Sequence, residues 1–527
     1  MKSLPPPVGD WRTRLCAGLT VCLFAAAITA PLAAWLIGGV PEDRLLPEER
    51  NSAPLPAPPR DWDSFSAYPR AFETWHGDAL GLRETLLRWR NRSFVAVLGV
   101  SPTPAAYIGR DDWLFLSTGR EYETQRGAAP ASRFEIEAWV TALRARQRFC
   151  RARGAEYVFA LVPDKTWVYP ARHPLDLTPL GPTRADQLVA ALGGDPVLVD
   201  LRASQRRAAA ADTADDHAYF PYGSHWTDRG TAVAMEELLN ALRARPGLAH
   251  LAPLAFEDVT FHRIGFSGDN WAGRLYLEGV MEQDERLVQQ IRGPLATLDA
   301  ARSNIAINKY VADSDDPTLP RILAFHDSFG LAAHKFLARS ASHSVCLWDF
   351  FRPELVDEVA PDVVIELYVE RVLSRLPFEN LPEQGEFGRR VFADATEALY
   401  VFDAARDAKT LSRRGGVETE FDGEALAIRW TQPIALAELP SAALPDGAQV
   451  SVRLDIELSG PTEVNFHFLT DETRTYTRAN SITRALPAGR SEIFVHLAVP
   501  NIRGPLLFRL TRKAECRLHA VESRRLR

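Results

Sequence analysis

Cysteine is scarce, with five in 527 residues. Cys16 and Cys22 lie in an apolar N-terminal stretch, so only Cys150, Cys346 and Cys516 would face an oxidising compartment. At most one intramolecular disulfide can join those three, and burial as small hydrophobes serves all of them equally well. No His, Cys, Asp or Glu group has metal-ligand spacing, and no glycine-rich phosphate loop is present. No cofactor is therefore expected. No basic block marks a nucleic-acid binder, and a formal charge of −7 is small for this length. Nucleic acid is set aside as a partner. A sugar polymer is not, because a glycan groove needs only local arginine and aromatic side chains. Internal repeats and low-complexity tracts are absent as well.

What is present is ordinary core material, 46% hydrophobic and 24% charged, in a chain long enough for two or three domains. Leu15 to Val40 carries no charge, with Lys2, Arg12 and Arg14 before it and Glu42, Asp43 and Arg44 after. A bilayer core of about 30 Å needs roughly 20 apolar residues, and the basic flank should stay cytoplasmic. A retained anchor fits the length of the run better than a cleaved signal peptide, whose core spans about 7–15 residues. Residues 41–69 are rich in proline and charge, which disfavours helix and central strand and suggests a stem. An amphipathic helix is expected from Phe72 to Leu98.

From about Ser101 to Pro377 strand-like and helical patterns alternate. Tyr157–Val162, Val197–Val199, Ile322–Phe325, Val345–Trp348 and Val363–Ile365 read as strands buried on both faces. Helices are expected after the Ser132/Glu135 capping box, from Thr227 to Arg243 and from Leu331 to Ala338. That alternation implies an α/β domain with a parallel sheet, whose ligands bind beyond the carboxyl ends of its strands. After Leu381 the period changes to two: Val450, Val452, Leu454, Ile456 and Leu458 alternate with polar residues, as do Val464, Phe466 and Phe468. This predicts a C-terminal β-sandwich.

Two short strings carry the chemistry. In Leu323-Ala-Phe-His-Asp-Ser-Phe-Gly330 a strand pattern ends in Ser328 at a strand-to-helix turn. In Tyr222-Gly-Ser-His-Trp-Thr-Asp-Arg-Gly230 the imidazole of His225 stands ahead of a helix start. A serine is a weak nucleophile near neutral pH unless a base takes its proton, so Ser328 and His225 form the candidate pair. Each string alone is weak, since Ser beside Asp is common in helix caps and His-Trp in cores.

Their company is more specific. Arg110-Asp-Asp-Trp-Leu-Phe-Leu116, Val162-Pro-Asp-Lys-Thr-Trp-Val-Tyr-Pro170, Ser224-His-Trp-Thr, His326-Asp-Ser-Phe and Pro361-Asp-Val-Val-Ile-Glu-Leu-Tyr-Val-Glu-Arg371 follow one another in one order. Together they resemble the alginate O-acetyltransferase family, periplasmic SGNH-hydrolase-like proteins that acetylate exopolysaccharides. The resemblance runs from near Phe72 to about Arg371. It implies an SGNH-like α/β domain at 70–385, which the residue pattern above precedes with a cytoplasmic N-terminus (1–14), a transmembrane anchor (15–40) and a stem (41–69). A β-sandwich at 400–527 follows, in a position where some members of the family carry a carbohydrate-binding module.

The resemblance also assigns the nucleophile to Ser328 and the base to His225. It implies an inner-membrane protein with one span and a periplasmic ectodomain, acting on an exported polysaccharide. The implied partners are a multi-spanning membrane acyltransferase that delivers acetyl groups, and other exopolysaccharide export proteins. One departure stands out. The family writes Asp-x-His-Trp, and that Asp falls at Gly223 here. The carboxylate that would orient His225 is therefore open, with Asp215, Asp216, Asp228 and Asp327 all in range of the sequence. A protein that has lost full catalysis and holds a glycan or export complex is the second reading, with a polysaccharide acetylesterase between the two.

Other residues carry two readings each. Asn270, in Gly268-Asp269-Asn270, is a candidate oxyanion donor or a turn former. Arg371 is a candidate binder of a sugar carboxylate or half of an internal salt bridge with its neighbours. Asp164 and Lys165 either line the cleft or form a structural ion pair and turn.

Overall fold

The computed structural model describes residues 11–38, 44–45, 50–117, 121–264, 271–277, 281, 285–377, 380–403, 406–407, 411, 416–431, 436–439, 449–470, 481–497, 502–510 and 515–526. Its helices are α1 (Trp11–Gly38), α2 (Trp62–Ala79), α3 (Arg83–Ser93), α4 (Glu121–Gln125), α5 (Arg133–Arg151), α6 (Lys165–Val168), α7 (Arg184–Leu192), α8 (Arg202–Ala210), α9 (Asp228–Arg243), α10 (Trp271–Arg274), α11 (Gly330–Arg339), α12 (Pro353–Val359) and α13 (Pro382–Asp394). Among them α1 is long and apolar enough to cross a membrane.

The central sheet is built from β1 (Glu156–Val162), β2 (Leu198–Asp200), β3 (Ala296–Leu298), β4 (Lys309–Ser314), β5 (Arg321–His326), β6 (His343–Leu347) and β7 (Val363–Val369). Their order across the sheet is β2-β1-β7-β5-β6-β4-β3. The first five run parallel. β4 runs antiparallel to β6, and β3 antiparallel to β4. The expected all-parallel sheet is thus a mixed one. Only a short connection separates β3 from β4, and antiparallel neighbours need no crossover helix.

Both faces of the sheet are covered, which is why β1, β5 and β7 read as continuous apolar runs. One face packs on α8, α9 and α11 through Ala208, Leu238 and Phe336. The other packs on α5, α7 and α12 through Leu143, Leu188 and Val356. The capping box expected at Ser132 and Glu135 starts α5, and Thr227 caps α9. Cys150, Cys346 and Cys516 are free and buried, the second of the two readings given for them.

Two local expectations change. The segment expected to be one helix from Phe72 to Leu98 breaks at Leu80–Leu82 into α2 and α3, followed by a turn of wider helix over Phe94–Leu98. The proline-rich stem also ends early. Asp61 and Ser64 form a capping box that starts α2 at Trp62, and Pro69 lies inside the helix.

The C-terminal strands form two antiparallel sheets. One holds Val417–Phe421, Leu426–Trp430, Cys516–Arg525, Val450–Leu458 and Gly489–Leu497, with Glu397–Val401 paired to Cys516–Arg525. The other holds Ala437–Leu439, Ile502–Leu510, Thr462–Thr470 and Ser481–Leu486. One buried cluster draws on both, including Leu454 and Ile456 from the first and Phe466 and Phe508 from the second. This is the expected sandwich, beginning at Glu397.

At the centre of the α/β domain the sheet buries a charge. Glu366 on β7 accepts from Arg146 of α5 at 2.8 and 3.0 Å and from the hydroxyl of Tyr157 on β1. The Arg146 and Glu366 side chains are 2% and 0% exposed. Breaking such a pair leaves an uncompensated charge and costs about 3–5 kcal/mol, whereas replacing both partners by apolar residues is often near neutral. Arg146→Met is therefore expected to lower stability by about that amount in urea unfolding, and Arg146→Met with Glu366→Met to recover most of it.

Candidate active site

β1 ends at Val162, β5 at His326 and β7 at Val369, side by side in the sheet, with Val162 paired to Val369 and His326 to Leu367. The residues that follow them therefore meet at one edge. Ser328 stands between β5 and α11 in a tight turn. Asp327 holds that turn: Oδ1 accepts from Phe329 N and Oδ2 from Val369 N, each at 2.9 Å. The imidazole of His326 lies beneath, its Nδ1 2.7 Å from Asp327 O. A Cβ at Gly330 would collide with that ring, so glycine alone fits there. Burial pulls His326 down to about 4, leaving it neutral near pH 7.

His225 reaches the serine from the loop ahead of α9. Its Nε2 lies 2.7 Å from Ser328 Oγ, and its Nδ1 lies 3.3 Å from Ser224 Oγ. The neighbouring Trp226 donates its indole N–H to Phe329 O at 3.0 Å, while the His225 ring packs 4.8 Å from the Phe329 ring. An ion pair ties the two following helices together: Lys335 of α11 lies 2.5 Å from both carboxylate oxygens of Asp228 at the start of α9.

A buried lysine shapes the loop itself. Lys165 Nζ donates to Leu114 O (2.6 Å), Phe220 O (2.8 Å), Pro221 O (2.8 Å) and Gly223 O (2.9 Å). The rings of Trp113 and Phe115 flank it, each 4.8 Å away. One ammonium thus gathers the carbonyls of the stretch that leads into His225. Gly223 is not among the glycines with positive φ, so its backbone does not bar a side chain.

The four acidic residues considered beside His225 have other work. Asp228 binds Lys335 and Val288 N (2.8 Å), and Asp327 holds the serine turn. Asp216 lies 3.7 Å from Arg229 and Asp215 lies 3.8 Å from Arg263. Among the turn amides, Phe329 N is given to Asp327 Oδ1 and Gly330 N to Asp327 O. The amide of Ser328 has no hydrogen-bond acceptor among the described residues. Asn270 lies outside the described residues.

Behind Phe329 sits a charged cluster. Arg371 Nη1 pairs with Asp164 Oδ1 and, at 3.2 Å, with Glu121 Oε1. Its guanidinium lies 5.6 Å from the Phe329 ring. The internal salt bridge is thus formed, while the Arg371 side chain stays 30% exposed. Glu370 accepts from Asp164 N and Gln125 Nε2, both at 2.9 Å. Burial, then the neighbouring Asp164, pushes Glu121 up to about 8 and Glu370 up to about 7. Burial also raises Asp164 despite its arginine.

Sequence reasoning named Ser328, His225 and Arg371, and the structure brings all three to this edge. It did not name Glu121, which lies in a five-residue helix with no motif around it. The several carbonyls gathered by Lys165 were equally invisible, because backbone acceptors leave no mark in a sequence.

The raised carboxyls set a pH dependence. Glu121 and Glu370 bind protons more tightly folded than unfolded, where their value is near 4.5. Their contribution to stability is complete below that value and is lost as pH rises through about 7 and 8. The melting temperature should therefore fall between pH 5 and pH 9, and Glu121→Gln should flatten that fall. A variant curve parallel to the wild type would contradict the assignment.

Residues 106–270 match the family model described as "SGNH hydrolase-like domain, acetyltransferase AlgX", a span that includes His225 and stops short of Ser328. No curated protein sequence matches the chain. Among solved structures the chain is similar to PatB1 of Bacillus cereus, at 15% identity over 50% of this chain and 95% of that one, with a TM-score of 0.38. It is similar to the O-acetyltransferase domain of Pseudomonas putida AlgJ, at 19% identity over 52% and 94%, with a TM-score of 0.35. It is also similar to Pseudomonas aeruginosa AlgX, at 13% identity over 84% and 98%, with a TM-score of 0.35. The family match thus covers residues 106–270, less than half of the chain.

Proposed function

We propose that this protein is an O-acetyltransferase that carries an acetyl group on Ser328 and passes it to a hydroxyl of an exported polysaccharide. The observation that carries the reading is the 2.7 Å contact between His225 Nε2 and Ser328 Oγ at the carboxyl edge of the sheet. Nucleophile and base stand within hydrogen-bond reach, as acyl transfer requires.

In the first half-reaction Ser328 Oγ attacks the acetyl carbonyl while its proton passes to His225 Nε2. The Ser328 amide, which no described acceptor engages, is the donor left for the developing oxyanion, and the donor's leaving group departs with the proton from His225. In the second, His225 accepts the proton of the sugar hydroxyl as that oxygen attacks the acyl-serine, and Ser328 is restored with the proton returned. Arg371, at the rim behind Phe329, offers its exposed part to an acidic sugar.

The basic flank of α1 points to a cytoplasmic N-terminus and a periplasmic ectodomain. A single span cannot carry acetyl groups across a bilayer, so the donor is a multi-spanning membrane acyltransferase, working with other exopolysaccharide export proteins. Gly223 in place of the family Asp favours a second reading, a glycan-holding member with weakened catalysis, the sandwich contributing to the grip.

Release of acetate from a small activated acetyl ester separates the two. Ser328→Ala and His225→Ala should each lower turnover by roughly 10⁴-fold, and together by hardly more, because groups that act as a unit fail together. Wild-type turnover no faster than Ser328→Ala, on the ester and on an acetylated glycan, would favour the glycan-holding reading.

A further inference from the structure

Helix α3 and the turn after it leave one face uncovered. Leu86, Trp89, Ser93 and Val97 recur at spacings of three and four, so they share a single side of the helix. Leu86 is 45%, Trp89 74% and Val97 78% exposed, an apolar stripe interrupted by Ser93 and open to the surroundings. Arg90 and Arg92 fall on either flank of that stripe by the same helical geometry.

The opposite side is clamped to the α/β domain. Buried Asn91 donates to Leu275 O at 2.6 Å, Arg83 Nη1 donates to the Tyr276 hydroxyl at 2.9 Å, and Val95 packs on the cluster of Leu114, Leu275 and Leu277. The helix cannot rotate to hide its stripe without breaking these ties.

What covers the stripe follows from where the helix sits. The turn between α2 and α3 rests on α1: a Cβ at Gly81 would collide with the carbonyl oxygen of Pro31 and the backbone of Trp35. Those residues belong to the last two turns of α1, which ends at Gly38. The apolar stretch of α1, Trp11–Ile37, has 27 residues. It includes Arg12 and Arg14, which mark the cytoplasmic boundary, so at about 1.5 Å per residue a hydrocarbon core of about 30 Å takes up roughly 20 residues from Leu15 onward. The helix therefore reaches the lipid headgroups near Trp35, beside Gly81, and α3 starts there.

We propose that α3 lies on the bilayer surface, with Leu86, Trp89 and Val97 entering the boundary between headgroups and acyl chains and Arg90 and Arg92 meeting anionic headgroups. An apolar face with an aromatic residue, bordered by arginines, is the composition of an interfacial helix. The consequence is geometric. From Leu275 the chain runs back through the single turn of α10, and Trp271 N donates to Tyr222 O at 2.9 Å, three residues from His225. A membrane-seated α3 fixes the candidate site at a set height above the bilayer.

The inference rests on α1 being a retained anchor, and one sample tests both. The full chain is reconstituted into vesicles of phosphatidylglycerol and phosphatidylethanolamine whose acyl chains carry bromine, which quenches tryptophan by contact. The emission of Trp89 is taken as the difference between wild type and Trp89→Phe. The expected result is a Trp89 signal quenched by brominated lipid and shielded from aqueous iodide. Quenching should weaken in Arg90→Ser with Arg92→Ser, or in vesicles of phosphatidylcholine alone. A Trp89 signal that ignores brominated lipid and is quenched by iodide would overturn the proposal. So would protection that arises only when a multi-spanning acyltransferase is reconstituted alongside, since the face would then belong to a protein. A chain that fails to float with the vesicles at all would defeat the anchor reading and this inference with it. Ester hydrolysis in the same sample reports on Ser328 and His225 independently of all these outcomes.

Discussion

The contact between His225 Nε2 and Ser328 Oγ joins residues 103 apart in sequence at 2.7 Å, and it is set by ties on both sides of the pair. On the serine side, Asp327 spends both carboxylate oxygens on backbone amides, and the His326 ring fills the space that only glycine leaves at position 330. On the histidine side, the Lys165 ammonium collects carbonyls from Phe220, Pro221 and Gly223. Trp226 and the Asp228–Lys335 ion pair then join the two sides. A hydroxyl and an imidazole held in this way meet without first having to be ordered, which is where much of the rate of an acyl transfer arises.

Lys165 deserves comparison with a metal ion. Its charge is buried, and it orders a loop through oxygen ligands, yet here those ligands are backbone carbonyls with no formal charge. Burying an ammonium is costly unless each of its protons is met, and here every one has an acceptor. The site thus holds two cations with different surroundings: buried Lys165 among carbonyl dipoles and aromatic faces, and the partly exposed Arg371 beside Asp164 and Glu121. Burial, and then the neighbouring Asp164, pushes Glu121 and Glu370 toward the neutral form.

Much of this was legible in the sequence, for reasons that differ by element. Strands buried on both faces announce themselves as unbroken apolar runs, so β1, β5 and β7 stood out, and period-two alternation marked Val450–Leu458. The antiparallel edge formed by β3 and β4 did not, because edge strands that are half exposed carry no such run. The break at Leu80–Leu82 was hidden too: Leu82 adopts a left-handed conformation (φ 62°) that nothing in a leucine suggests. At the site, Ser328 and His225 came from their local strings, and Arg371 from the end of a strand. Glu121 and the carbonyl ligands of Lys165 come together only through the fold.

The central claim is that Ser328 carries the acyl group with His225 as its base. Its most direct test is to expose the protein briefly to an activated acetyl ester, quench in acid and map the acetylated peptide by mass spectrometry. The account predicts one acetyl group, on the peptide containing Ser328, that is absent from His225→Ala. Acetylation at another residue alone, or equal labelling of Ser328 with and without His225, would contradict it.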